Sequence, residues 1–171
     1  MSIEVVLPGL QTTIQDYGRY GCRHMGVPQS GAADLFSYKL ANFLLGQLPN
    51  ASVLECTLTG PRLRFLSNMQ IMISGADMQP EVNGNAIDMF TACRVQAGDV
   101  LIMQACLVGC RSYIAFSKDL ICDSFMGSRS TYLPAKLGGL NGKALVSGDV
   151  IATTGDKLQQ GRRLELSLIH I

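Results

Sequence analysis

The chain has 171 residues, of which 47% are hydrophobic and 16% are charged, and its formal net charge is +1. This length suits one compact domain or two small subdomains, and the apolar share is enough for a packed core that needs no metal or disulfide. Because no basic run could follow a phosphate backbone, and no uncharged stretch reaches the roughly 18 residues of a membrane span, we expect no nucleic-acid partner and no membrane partner.

The first 46 residues predict a strand, a loop and a helix. Residues 3–7 form an apolar run that stops at a Pro-Gly turn, which indicates a short strand. Residues 10–31 are rich in glycine and polar groups and predict a loop. The pattern DLFSYKLANFLL at 34–45 has apolar residues near helical spacing and ends at Gly46, so it predicts the one clear helix of a mainly β chain.

The sequence after the helix predicts a β-meander. Apolar runs separated by turns follow one another as SVLECTL, RLRFL, MQIMISG and AIDMFTACRV. Asn83-Gly84 predicts a hairpin, because a type I′ turn needs a positive φ at both of its central residues. The stretch GDVLIMQACLVGCRSYIAF predicts two further strands with a break near Gly109.

A second glycine-rich stretch precedes a last strand. Residues 127–149 predict a long loop, and such loops in β-rich chains are usually functional or mobile. VIAT at 150–153 predicts a short strand. AGDVLI at 97–102 and SGDVIA at 147–152 both place Gly-Asp before a strand, which indicates shared turn chemistry and no more.

Several common chemistries have no support in the sequence. Only His24 and His170 could serve a Ser-His-Asp hydrolase, and no G-x-S-x-G motif presents a nucleophile. No P-loop motif is present, so any ATP would be bound elsewhere. The six cysteines lie singly, which predicts reduced and mostly buried thiols and no metal site. Since the N-terminus also lacks the features of a signal peptide, we expect a cytoplasmic protein.

Three separated segments resemble one known family. Residues 8–46 follow the pattern PG.QTT.QD.GR.G....GVP.SG..D..S...AN.L.GN, with Gln47 in place of the last asparagine. Residues 54–65 resemble LE.T..GP...F, and residues 127–149 resemble GSRST.L....GG..GR.L..GD. One departure is SKDLICDS at 117–124, where relatives usually carry a Gly-Gly turn. In this order the motifs are similar to the N-terminal part of the biotin-dependent carboxyltransferase family, of the KipA, 5-oxoprolinase C-subunit and allophanate hydrolase subunit 2 type.

The resemblance implies a fold and a domain organisation. It implies a cyclophilin-like β-barrel architecture, which periodicity alone does not show. Residues 1–161 would be a partial carboxyltransferase subdomain A/B region, with a loop-helix portion over about 1–60 and a β-rich portion over about 61–161. Residues 162–171 would be a truncation point or a foreign tail, and the C-terminal half of the family's chains would be missing.

The resemblance also implies work within a complex. The main interpretation is a subunit of a 5-oxoprolinase-type enzyme, which cleaves 5-oxoproline to L-glutamate with ATP. Its partners would be a protein of the KipI or 5-oxoprolinase B-subunit type and an ATP-using subunit. Two alternatives stay open: a KipA-type regulator that binds a kinase inhibitor, and a carboxyltransferase component that acts on urea or a related amide. Biotin and ATP would be held by partners, no cofactor is assigned to this chain, and the fragment alone is expected to be inactive.

Nine residues are candidates for the site. Carboxyl transfer needs a group that moves protons, and donors for the charge that develops on oxygen. Asp16 and Glu55 are the candidate catalytic residues, although Asp16 could instead shape its loop and Glu55 could satisfy a buried backbone group. The candidate substrate-binding residues offer donors, or a backbone that a ligand can approach: Arg19, Ser30, Gly31, Asn42, Ser128, Arg129 and Ser130.

Two of these candidates have explicit structural alternatives. Ser30 could cap the helix, as could Asp34, by accepting bonds from backbone N–H groups. Arg129 is the strongest candidate for a ligand contact, because a guanidinium binds a carboxylate through two hydrogen bonds. Its alternative role is to brace a surface loop.

Overall fold

Two antiparallel sheets and one α-helix make up the computed structural model, which describes residues 1–155. This confirms the expected class, mainly β with one clear helix. Two short 3-10 turns accompany these elements. The elements in chain order are β1 (Ser2–Leu7), β2 (Gln11–Gln15), α1 (Leu35–Leu45), β3 (Val53–Thr57), β4 (Arg62–Phe65), β5 (Met69–Asp77), β6 (Glu81–Val82), β7 (Asn85–Ala86), β8 (Cys93–Val95), β9 (Val100–Ile102), β10 (Val108–Phe116), β11 (Leu120–Ile121) and β12 (Val150–Thr153).

The two sheets enclose the main core. The seven-stranded sheet has the order β11-β12-β1-β4-β9-β6-β7, and the five-stranded sheet has the order β2-β3-β10-β5-β8. Alternate strand residues point inward, so the core contains Ile3 and Leu63 from the first sheet and Ile14, Leu54 and Ile114 from the second. Neither sheet closes on itself within the described residues, so the barrel remains an implication of the family resemblance.

Helix α1 covers the outer face of the five-stranded sheet. Tyr38, Ala41 and Leu44 pack there against Val53 and Met72 in a second apolar cluster. Because both faces of this sheet are covered, β3 is buried along almost its whole length and its sequence shows no alternation. The helix begins after Asp34 and ends at Gly46, as the sequence predicts.

Three sequence predictions about strands are wrong. Residues 11–15, expected in a loop, form β2, because the threonines and Ile14 of QTTIQ pair with β3. The meander is absent: β3 and β5 belong to one sheet and β4 to the other, since the chain crosses between sheets on both sides of β4. The break expected near Gly109 lies instead between β9 and β10, and Gly109 sits inside β10 with φ of 90°, within a shift of register.

Other local predictions are confirmed. The hairpin of β6 and β7 turns at Asn83 and Gly84, which have φ values of 52° and 81°. The last strand covers VIAT, residues 150–153. The division near residue 60 stays a prediction, and residues 156–171, with the proposed tail at 162–171, lie outside the described residues. No helix in residues 1–155 is both long and apolar enough to span a membrane.

The two Gly-Asp turns have the same hydrogen bonding. The Gly98 amide donates to the carbonyl of Phe65 on β4 at 2.7 Å, and the Gly148 amide donates to that of Val5 on β1 at 2.8 Å. In each turn the same strand residue donates its own amide to the aspartate carbonyl. Since β1 pairs with β4, the two turns bind equivalent positions on neighbouring strands of the larger sheet.

Candidate functional site

Asp16 joins the two glycine-rich stretches. It follows β2, and 6% of its surface is exposed. One carboxylate oxygen accepts hydrogen bonds from the Gly18 amide at 2.8 Å and the Ser128 hydroxyl at 2.6 Å, and the other accepts from the Arg129 amide at 2.6 Å. The bond to Gly18 is the local turn that the sequence offered as an alternative to catalysis. The bonds to Ser128 and Arg129 come from a loop more than 100 residues away.

Arg19 is buried beside the same loop, with 1% of its surface exposed. Its Nε donates to the Phe125 carbonyl at 3.1 Å, and its Nη2 donates to the Ser130 carbonyl. Its Nη1 has no hydrogen-bond partner within residues 1–155. Burial lowers the pKa of Arg19, and the charge of Asp16 opposes this change. The side chain therefore holds the loop with two of its nitrogens and leaves the third without an acceptor.

Ser30 and Gly31 lie where the first stretch folds back on itself. The Ser30 hydroxyl donates to the Thr131 carbonyl at 3.0 Å, which ties this segment to the second loop. Gly31 has φ of 91°, and a Cβ there would lie 3.0 Å from the Cα of Gly18. These backbones pass too closely for a side chain. The helix is capped by Asp34 and not by Ser30.

Ser128 and Ser130 form an internal pair in the second loop. Their hydroxyls are 2.7 Å apart, and the Ser130 amide donates to the Ser128 hydroxyl at 3.0 Å. Both are buried. They extend the hydrogen bonding of Asp16 inward, so in this geometry they stabilise the loop instead of facing an open space.

A cavity of about 250 Å³ opens beside Asp16, and we call it the Arg129 cavity. Arg129 keeps 39% of its side chain exposed, and its Nη1 lies 4.0 Å from the Asp119 carboxylate. This single long ion pair leaves other donors of the exposed guanidinium available to a ligand, and a guanidinium can bind a carboxylate through two hydrogen bonds. The lining consists of Asp16, Leu48, Asn50, Ala51, Asp119, Ser124, Gly127 and Arg129.

Asn42 supports one wall of the Arg129 cavity from behind. It lies on α1 with 1% of its surface exposed, and its Nδ2 donates to the Ala51 carbonyl at 3.0 Å. The Tyr38 hydroxyl donates to the same carbonyl at 3.0 Å. Burial, together with the nearby charge of Asp16, raises the pKa of Tyr38, so its hydroxyl stays protonated. Asn42 thus fixes the chain at a cavity residue.

Glu55 lies at the entry to the helix, outside the lining of the Arg129 cavity. Its Oε1 accepts from Arg111 at 2.5 Å, and its Oε2 accepts from the Ala33 amide at 2.8 Å and the Tyr113 hydroxyl at 3.0 Å. This matches the structural alternative, a buried carboxylate that satisfies a backbone group. The Tyr113 hydroxyl also accepts from the Asp34 amide at 2.7 Å. Glu55 therefore positions the start of α1, and its catalytic role stays a prediction.

Sequence reasoning missed Asp119 and Arg111. Asp119 lies within SKDLICDS, the segment that departs from the family pattern, and that departure was the available signal. Arg111 precedes Tyr113 by two residues in β10, so both side chains leave the same face of the strand, next to Glu55 on β3. A charged residue inside an apolar strand could have indicated this partner.

The described part of the chain contains no candidate metal-binding group and no paired cysteines. No group of three histidine, cysteine or acidic residues within residues 1–155 could hold a metal ion. All six cysteines are free. Cys22 and Cys56 are buried and Cys110 is exposed, so the prediction of mostly buried thiols holds for two of the six, while the other three are partly buried.

Comparisons with known proteins agree on a family. A profile of the family described as carboxyltransferase domain, subdomain A and B, matches residues 25–168. Urea amidolyase of Lachancea kluyveri is 39% identical over 151 residues, which are 88% of this chain and 8% of the relative. The C subunit of 5-oxoprolinase from Escherichia coli is 33% identical over 147 residues, which are 86% of this chain and 47% of the relative.

A solved structure gives the same result. The urea amidolyase of K. lactis superimposes with a TM-score of 0.88 and 35% sequence identity, over 94% of this chain and 10% of that chain. The chain therefore spans about half the length of the 5-oxoprolinase C subunit and a tenth or less of the urea amidolyases.

Proposed function

Because the chain belongs to the carboxyltransferase domain family of subdomains A and B, we propose that it is part of a 5-oxoprolinase-type enzyme, which cleaves 5-oxoproline to L-glutamate with ATP. The relatives named as the C subunit of 5-oxoprolinase support this proposal through their sequence similarity. Partner subunits would supply ATP and any biotin. We assign no cofactor to residues 1–155.

The Arg129 cavity is the observation that carries this proposal. 5-Oxoproline bears a carboxylate, whereas urea is uncharged, and the Arg129 guanidinium can hold a carboxylate through two hydrogen bonds. The lining also contains two carboxylates, but neither forms a close ion pair with the Arg129 guanidinium. The oxygens of Asp16 are already occupied by three donors, and Asp119 lies at the long distance of 4.0 Å. The Ser124 and Asn50 side chains in the lining supply polar groups for the ring amide.

Residues of this chain would act by positioning the substrate. Arg129 would fix the carboxylate, and Asp16 would hold the Arg129 backbone through its amide. Asn42 would keep the Ala51 wall in place. Orientation of this kind lowers the barrier of a reaction that a partner drives with ATP. Asp16 would then act as a positioning residue for Arg129.

The experiment is ATP-dependent release of glutamate from 5-oxoproline. The full-length protein that contains this chain is mixed with the products of the neighbouring genes. Each protein is then omitted in turn. We expect glutamate release that needs this protein. Arg129→Ala should raise KM for 5-oxoproline at least about tenfold, because a lost charge-assisted bond is worth about 1.5 kcal/mol or more. Arg62→Ala, on the exposed side of β4, is the matched control and should leave KM unchanged.

A second candidate is carboxyl transfer to urea. The higher identity to urea amidolyase, 39% against 33%, favours it. Urea- and bicarbonate-dependent ATP hydrolysis, with no glutamate release from 5-oxoproline, would replace the first proposal with this one. Tight binding to a neighbouring protein without either activity would instead support the regulatory alternative.

A further inference from the structure

A second cavity, of about 420 Å³, opens in the segment between β2 and α1, and we call it the Arg23 cavity. It shares no lining residue with the Arg129 cavity. Three of its six lining residues carry basic side chains and none is acidic. The lining consists of Arg19, Tyr20, Gly21, Arg23, His24 and Gln29.

Backbone hydrogen bonds shape the segment around the Arg23 cavity. The Arg19 amide donates to the Gln29 carbonyl at 2.7 Å, which closes the segment across its base. The Met25 amide donates to the Cys22 carbonyl at 3.0 Å, within a single 3-10 turn. A cavity whose walls are fixed before a ligand arrives loses less entropy on binding.

Arg19 uses two of its guanidinium nitrogens on the Phe125 and Ser130 carbonyls, so Arg23 is the arginine of this cavity without a strong partner within the described residues. Arg19 is 1% exposed, and its Nη1 is buried without an acceptor, which is unusual because buried donors are nearly always paired. Arg23 makes only a long exposed contact, 3.4 Å from its Nη2 to the Gln29 Oε1. The nearby carboxylate of Asp16 accepts its three hydrogen bonds from Gly18, Ser128 and Arg129, and none of these residues lines this cavity.

We propose that the Arg23 cavity binds a small oxyanion, either a phosphate or a carboxylate-type anion such as bicarbonate. The Arg23 guanidinium, the His24 imidazole, the Tyr20 phenol and the Gln29 amide would surround its oxygens, with the buried charge of Arg19 behind them. Arg23 and His24 fall on open positions of the family pattern, whereas Arg19 is a residue that the pattern specifies. The proposal does not depend on which reaction the protein serves.

The test is a titration of the isotope-labelled 171-residue chain followed by nuclear magnetic resonance. Sodium phosphate and sodium bicarbonate are added separately at constant ionic strength, with chloride as the reference anion. We expect saturable shifts of the amide signals of residues 19–29. Arg23→Gln should weaken binding about tenfold or more, since it removes a charge-assisted bond. Arg62→Gln removes the same charge from β4 and should leave the affinity unchanged.

Each outcome decides the proposal. Saturation with phosphate alone, or with bicarbonate alone, supports it and identifies the source of the oxyanion. Shifts that never saturate, or that spread equally over the surface, overturn it. Equal weakening by Arg23→Gln and Arg62→Gln also overturns it, because the effect would then be one of net charge. Both residues are exposed, so neither change should unfold the protein.

Discussion

The buried carboxylate of Asp16 accepts three hydrogen bonds. Replacing one of its oxygens by an amide nitrogen tests how much they contribute to stability. In Asp16→Asn the amide NH₂ would face at least one of the donors Gly18, Ser128 and Arg129. We expect the free energy of unfolding to fall by about 2 to 3 kcal/mol, because a buried donor without an acceptor keeps its full desolvation cost. Urea denaturation measures this loss. Asp88→Asn, an exposed control, should change stability by less than about 0.5 kcal/mol; equal effects would contradict the role given to Asp16.

The Cys56 thiol makes stability depend on pH in the alkaline range. Burial raises the pKa of Cys56 to about 12. A thiol in the unfolded chain titrates near about 8.5, so above that pH the unfolded state loses a proton that the folded state keeps. Stability from this group is complete below about pH 8.5 and falls as the pH rises towards the folded pKa, by up to about 1.4 kcal/mol for each unit.

Denaturation of Cys56→Ala at pH 8 and at pH 10.5 isolates this effect. The variant should lose less stability than the parent between the two pH values, whatever its stability at pH 8. Cys110→Ala, which removes an exposed thiol, should follow the parent. If the free energy of unfolding changes by the same amount between the two pH values in all three proteins, Cys56 makes no contribution.

The limits of sequence reasoning are visible at single residues. The bond from Asp16 to Gly18 spans two residues and follows from the chemistry of turns. The bonds to Ser128 and Arg129 span 112 and 113 residues, and no local pattern encodes such pairings. Donor-rich serines beside an arginine therefore resembled a ligand site, although Ser128 and Ser130 bind within the protein.

At the scale of elements, the start of α1 depends on Asp34. Its Oδ1 accepts from the amides of Phe36 and Ser37, which have no partner within the helix. Asp34→Ala should lower the free energy of unfolding by about 1 to 2 kcal/mol, as measured by urea denaturation. Asp88→Ala is the matched control because Asp88 is exposed in a loop. A loss no larger than that of the control would mean that the helix starts without its cap.

Elements with local signals were predicted well, and those defined by distant partners were not. The helix, the Asn83-Gly84 hairpin and the strand at 150–153 are each marked in the local sequence by a cap, a turn or an apolar run. The placement of β3, β4 and β5 does not, because alternation shows which face of a strand is buried but not which sheet it joins. QTTIQ was assigned to a loop because the glycines after it outweighed its threonines.

At the scale of the whole molecule, the two Gly-Asp turns bind the neighbouring strands β1 and β4 of the larger sheet through the same pair of hydrogen bonds. Gly98 and Gly148 have φ values of 98° and 87°, and an added Cβ would meet nothing within 4 Å at either position. Gly98→Ala and Gly148→Ala should therefore each cost about 1 to 2 kcal/mol from backbone strain alone. Gly155→Ala, where φ is not in the left-handed region and space is open, is the control.

The double variant tests whether the turns act independently. Their losses should add within about 0.5 kcal/mol, as expected for sites without shared contacts. Thermal or urea unfolding of the three variants gives the values. A cost confined to one turn would contradict their equivalence. The resemblance of AGDVLI to SGDVIA indicated the chemistry of these turns, but only the sheet shows that they fasten to neighbouring strands.

The pairing of β1 with β12 has a consequence for synthesis on the ribosome. One edge of β1 pairs with β4 near residue 63, but the other waits for residues 150–152. Until residues 150–152 have been synthesised, the nascent protein therefore displays an unpaired strand edge, which other chains can join. Nascent chains stalled before residue 150 should recruit chaperones and aggregate on release, and those stalled well after β12 has left the exit tunnel should do so far less.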